Sequence, residues 1–264
     1  ITNELLEFID GAELIINNPS INDDVKLLEL RQAERAELAA QGITTSQPRL
    51  IFSGDVEGEV YSASNYDGSD SSNIDLSDAE LNAFIEANDW VSGYITITYS
   101  DAADGQANPI NNSGYELSQG FMTVGNLDSS AFYSTIGQMY VPFGSYSSFM
   151  VTSPLTKDIG RTKARALLVG YNPQREGFEP FASAYAFQGS TNVANSDSSG
   201  QIKNYGLNGG VQFAKDQYSF SLGASYINNI AESEGMQGNG DSSQHFNGFA
   251  EQASYEDIGT RVPG

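Results

Sequence analysis

The chain of 264 residues contains no cysteine, so it can build neither a disulfide framework nor a thiolate metal site, and pairing says nothing of its redox compartment. Such an absence is compatible with an exported bacterial protein. Histidine is nearly as scarce. The single His245 excludes metal sites that need paired histidines, and it stands beside Ser243 and Gln244 without a nucleophile elbow, so acyl-transfer catalysis has no recognisable base and serine pair. The chain is read as a non-enzyme that needs no cofactor. Basic residues are few: 12 Lys and Arg against 34 Asp and Glu give a formal charge of -22. That field repels phosphate backbones and excludes nucleic acid as a partner. No apolar run of about 18 residues occurs, which excludes a transmembrane helix. A membrane barrel is not excluded, because its strands are only half apolar.

What the sequence does contain is Gly, Ser and Asn in quantity, with 14 Tyr and 14 Phe, a mixture that favours strands and turns. One convincing helix spans 22 to 41. Asn22 and Asp23 suit its start, Asp24 its first turn, and Gly42 its stop. Its apolar stripe (Val25, Leu27, Leu28, Ala33, Ala36, Leu38) fits either a short coiled coil that would make homo-oligomers or a solvated spacer helix. Residues 1 to 48 are accordingly an N-terminal, periplasmic segment, with 43 to 48 as linker. The start at Ile1, without Met or a leader pattern, is what a processed or trimmed protein shows.

From Leu50 the period changes to two. Phe52, Val56 and Val60 alternate with Ser53, Asp55, Glu57 and Glu59, and similar patterns return to give about ten strands: 50 to 61, 76 to 87, 90 to 100, 114 to 125, 131 to 143, 162 to 171, 178 to 189, 204 to 213, 218 to 226 and 245 to 255. Segment 76 to 87 also matches a helical capping box, Ser77 with Glu80, but its place in the series favours a strand. The connections alternate long and short, beginning with a long one at 62 to 75. A soluble sandwich has no reason to gather every long loop at one end, whereas an outer-membrane barrel does so. The expected fold is therefore all-β, an antiparallel transmembrane β-barrel over 49 to 264 behind a short N-terminal helix. Its expected location is the bacterial outer membrane, and Trp90 and Tyr94 are read as interfacial aromatics.

Positive charge gathers in TKDIGRTKARALLVGY, residues 156 to 171. Lys163 and Arg165 share one face of the expected strand, and lipid disfavours cations at mid-depth, so that face is expected to line a wet lumen. The preceding loop is rich in apolar residues (Phe143, Tyr146, Phe149, Met150, Val151, Leu155 and Ile159) that call for cover. Folded into the barrel, it would carry Lys157 and Arg161 toward Lys163 and Arg165, and the four together make a candidate binding site for an anionic solute. The competing reading sets them at the outer rim, against lipopolysaccharide phosphates or nearby acids. Asp67, Asp70 and Asp75 in an acidic loop depart from EF-hand spacing, and a solvated loop is the plainer reading. The sequon at Asn111 has no bearing in a bacterial outer membrane.

The stretch GQMYVPFGSYSSFMVTSPLTKDIGRTKARALLVGY (137 to 171), with RLIFSGDVEGEVY (49 to 61) and ELNAFIEANDWVSGYITITY (80 to 99), resembles the LbtU-like siderophore-porin family of gammaproteobacterial outer-membrane proteins. The resemblance implies passage of iron as a ferric siderophore, commonly an anion. It carries over no binding residues. Members of that family are longer, and barrels normally finish in a strand with a terminal aromatic whereas this chain stops at TRVPG, so the barrel is expected to be incomplete as given. The alternative function is a non-conducting structural or adhesive anchor held among outer-membrane lipid and lipopolysaccharide.

Overall fold

A computed structural model describes residues 23–40, 42, 48–64, 70–100, 114–144, 146, 155–173, 177–189, 202–215, 218–233, 236 and 246–257. The sequon at Asn111, Asp67 and His245 lie outside them.

Ten antiparallel strands form one sheet in which each strand pairs with its sequence neighbours, in the order β1 to β10. They are β1 (Arg49–Ser64), β2 (Asp70–Glu86), β3 (Val91–Ser100), β4 (Gly114–Gly125), β5 (Phe132–Tyr140), β6 (Lys163–Tyr171), β7 (Glu179–Gln188), β8 (Ile202–Lys215), β9 (Tyr218–Ile227) and β10 (Gly248–Asp257). Period-two patterning located every one of them, and 76 to 87 is strand. Among the described residues β1 pairs only with β2 and β10 only with β9. No described helix is long and apolar enough to cross a membrane.

The first connection is not the long acidic loop expected at 62 to 75. The β1–β2 ladder continues to Ser64 opposite Asp70, so Asp70 and Asp75 belong to a strand and only 65–69 separates the pair. The later connections do alternate: 87–90, 126–131, 172–178 and 216–217 at one end of the sheet, against 101–113, 141–162, 189–201 and 228–247 at the other.

One face of the sheet is buried and mixes polar with aromatic side chains, and the other is exposed and largely aliphatic. On the buried face lie Asn82 (1% exposed), Thr96, Thr123, Thr135 (0%), Ser183, Asn208 and Ser225. The exposed face carries Val56 (76%), Ile95, Met122, Ile136, Leu167, Leu207 and Phe249 (77%). Period-two geometry forces the split, and the register keeps it continuous from strand to strand: Met122 pairs with Ile136, and Ile136 with Leu167. Hydrogen bonds join several polar groups on the buried face. Tyr94 Oη and Thr96 Oγ1 both donate to Asn82 Oδ1, at 2.7 and 2.6 Å, and the Thr123 and Thr135 hydroxyls meet at 3.0 Å. Tyr94 is thus an inner-face residue, not an interfacial one. Aromatic rings add bulk there: Phe121, Tyr133, Tyr185 and Phe187 are all buried.

Helix α1 (Asp23–Ala40) lies across the short-turn end. Gly42 ends it at φ 76, with its amide donating to Ala39 O at 3.0 Å, which is the conformation glycine adopts most cheaply. Leu27 and Leu28 join the same buried cluster as Phe121 and Tyr133. Two of the leucines in the expected coiled-coil seam, Leu27 and Leu28, are thus spent on the sheet. Gly137 in β5 has φ 144, and a Cβ there would strike the Gly120 carbonyl oxygen and Phe121, so only glycine fits where β5 crosses β4.

Candidate functional site

The segment between β5 and β6 turns inward at once. Val141, Pro142, Phe143 and Gly144 are buried, and the Gly144 amide donates to Ser225 Oγ on β9 at 2.9 Å, 81 positions away. Phe143 reaches Gly248 at the start of β10. The Tyr146 ring lies against Gly144 and Gly160, where no Cβ would be accommodated. Burial raises the Tyr146 phenol to about 12, since desolvation penalises the phenolate. Of the loop's apolar residues that the structure describes, Phe143 and Tyr146 take cover on the buried face, whereas Leu155 and Ile159 stay exposed.

The cations that follow do not go with it. Lys157 lies in helix α2 (Leu155–Gly160), and the Arg161 amide donates to its carbonyl at 2.8 Å. The Arg161 guanidinium stacks over Tyr140, 4.5 Å from the ring centroid. In β6 it is Ala164, Ala166 and Leu168 that are buried, whereas Arg165 shares the exposed face with Leu167 and Val169. Lys163 belongs to that face too, and its Nζ approaches Glu116 Oε1 at 3.6 Å with both side chains partly in solvent. Period two separates the strand's faces but does not say which is inner. The lumen assignment of Lys163 and Arg165 is corrected: alanines and Leu168 take the crowded side against Tyr133 and Met139, and the cations stay outside. Lys163 begins β6, at the end of the sheet that carries the long connections. The four residues are brought to one end of the sheet, Lys163 and Arg165 on its exposed face.

A second charged cluster has no local signal in the sequence. Glu86, at the end of β2, is 2% exposed and faces Arg31 Nε at 3.8 Å, Arg35 Nε at 3.7 Å and Arg49 Nη1 at 3.6 Å. Arg31 and Arg35 are one helical turn apart on α1, and Arg49 lies directly opposite Glu86 in the ladder. Arg31 also donates to Gly125 O at 2.8 Å, Arg35 to Asp89 Oδ1 at 2.7 Å, Gln32 to Asp128, and Asn172 Nδ2 to Glu29 Oε1 at 2.9 Å. Helix α1 is thereby tied to three successive short turns. Desolvation, then repulsion from Arg35, lowers the Arg31 pKa, and attraction from Glu86 opposes both. Only the i,i+4 spacing of the two arginines could have been noticed beforehand. Their carboxylate partner comes from another element.

The chain is 41% identical over 233 residues to a UPF0422 protein of Coxiella burnetii, a match covering 86% of this chain and 48% of that protein. UPF0422 proteins of Legionella pneumophila strains Lens and Philadelphia 1 are each 35% identical over 240 residues, covering 88% of this chain and 43% of theirs. The chain spans about half the length of the curated relatives it matches. No family model and no solved structure matches it. Those names do not bear on the siderophore-porin resemblance.

Proposed function

We propose that the chain forms much of an outer-membrane β-barrel, with its apolar face against lipid and its polar face around a water-filled path for small hydrophilic solutes. The contrast between the two faces carries this reading: Thr, Asn and Ser are buried on one side of β3, β4, β5, β8 and β9, whose other side presents Val, Ile, Leu or Phe, while β6 buries alanines with Leu168 and β7 presents alanines. Water offers no reason to expose that aliphatic band, and hydrocarbon offers a strong one. The gathering of the long connections beyond β3 at one end agrees with it, since that is the outer side of such barrels. Ferric siderophore as the solute rests on the family resemblance, because Lys163 and Arg165, two of the cations expected to select anions, lie on the exposed face.

One observation favours the alternative, a non-conducting anchor. Phe143 and Tyr146 occupy the inner face near the long-loop end, and α1 lies across the short-turn end. Conductance separates the two. Protein that migrates in a heat-modifiable manner in detergent and gives ohmic channels in planar bilayers is a pore. The same migration with sealed bilayers makes it an anchor, and migration unaffected by heating removes the membrane reading.

A further inference from the structure

The apolar face carries a groove of about 590 Å³. Its floor is Ala182, Ala184, Gly209 and Ala224, and its walls are larger side chains, Val169 and Tyr171 on one side and Leu207 and Phe249 on the other. The floor continues up β7 through Ala186 to Gln188, and Gln188 lies directly opposite Arg165 in the β6–β7 ladder. A trough of small residues thus ends beneath Arg165, with Lys163 beside it on the same face. Arg161, over Tyr140, brings a third cation to that rim. In a chain of formal charge -22, this concentration of cations stands on a face whose lower part is largely apolar, the exposed Glu251 opposite Ala224 being a carboxylate on it.

From this charge complementarity and its continuity with the groove, we infer that Lys163 and Arg165 hold the phosphates of a phosphorylated, multiply acylated lipid whose chains lie in the trough along β7. The inference rests on the membrane reading above and names a lipid partner for the same sheet. Two features fit one such molecule. A guanidinium and an ammonium on neighbouring residues of one face present charge-assisted donors to phosphate oxygens. Arg165 to Val169 is four residues, about 13 Å along the strand and about 10 Å in depth at a barrel's usual tilt, which lies within the hydrocarbon of one leaflet. A free phosphate would use the cations and leave the trough empty. The lipid uses both.

The test takes the full chain folded in detergent micelles, with bis-phosphorylated lipid A, its dephosphorylated counterpart and inorganic phosphate as probes. The expected result is at least tenfold tighter retention of the phosphorylated lipid than of the dephosphorylated one. Lys163→Gln with Arg165→Gln should abolish that preference while heat-modifiable migration persists. Ala184→Phe, which fills the trough and leaves the cations in place, should weaken lipid binding severalfold. Equal retention of the two lipids, or a preference that survives the double substitution, overturns the inference. Full competition by inorganic phosphate, or indifference to Ala184→Phe, overturns the lipid assignment in favour of a simple anion site. Loss of heat-modifiable migration in the unsubstituted protein removes the membrane reading as well, so the two failures are distinguishable.

Discussion

Tyr146 links the long β5–β6 connection to the interior. Its phenol is held neutral by burial, with the pKa raised from 10.0 to about 12. A raised folded-state pKa means that this contribution to stability is complete below pH 10 and is lost as pH climbs through about 12, because only the unfolded chain releases the proton readily in that window. The thermal midpoint should fall between those values in the native protein. Tyr146→Phe should flatten that part of the profile, and phenolate absorbance followed alongside checks that Tyr146 is the group responsible. That Phe143 and Tyr146 seek cover was legible from their aromatic bulk. That Tyr146 rests against Gly144 and Gly160 was not, because the two glycines are 16 positions apart and meet only through the turn of the chain.

At the scale of elements, α1 and β6 show where a pattern in the chain is sufficient and where it is not. Both were located correctly, and in both the pattern left open which neighbour the marked face would meet. The α1 stripe is compatible with another helix or with a sheet, and the β6 alternation with either orientation. Glu86 settles the first, since it gathers Arg31, Arg35 and Arg49 from two elements around one buried carboxylate. Removing it as Glu86→Ala leaves those arginines without their shared partner, a change that costs about 3 to 5 kcal/mol at buried sites. Helix α1 should then loosen before the sheet does. Amide exchange in 23–40 should accelerate while exchange in β4 and β5 stays slow, and if the barrel conducts, its open time in planar bilayers should lengthen. Unchanged exchange in α1 would show that the leucines alone hold it.

For the molecule as a whole, the prediction concerns which face meets lipid. Ile136 is in the middle of β5 on the exposed face, between Met122 and Leu167. Ile136→Arg should destabilise the folded protein in bilayers by about 2 to 4 kcal/mol, as a cation does at mid-depth, and by far less in an aqueous detergent solution. Urea titration in the two media provides the comparison. A soluble sheet that buried this face against another protein would lose association instead, with little dependence on lipid.

Composition and periodicity by themselves determined the class, the number of strands, their sequential pairing and the helix with its glycine stop, because these depend on residues close in the chain and on a repeat of two or 3.6. Only the tertiary structure decided which face of each element is buried, that the β1–β2 hairpin runs on through the acidic segment, and that Lys163 and Arg165, read as a lining, lie on the exposed face. Those outcomes depend on competition for space on the inner face among strands, loop and helix. Alanine and Leu168 fit there beside Tyr133 and Met139, whereas Arg165 on the open side keeps its charge solvated.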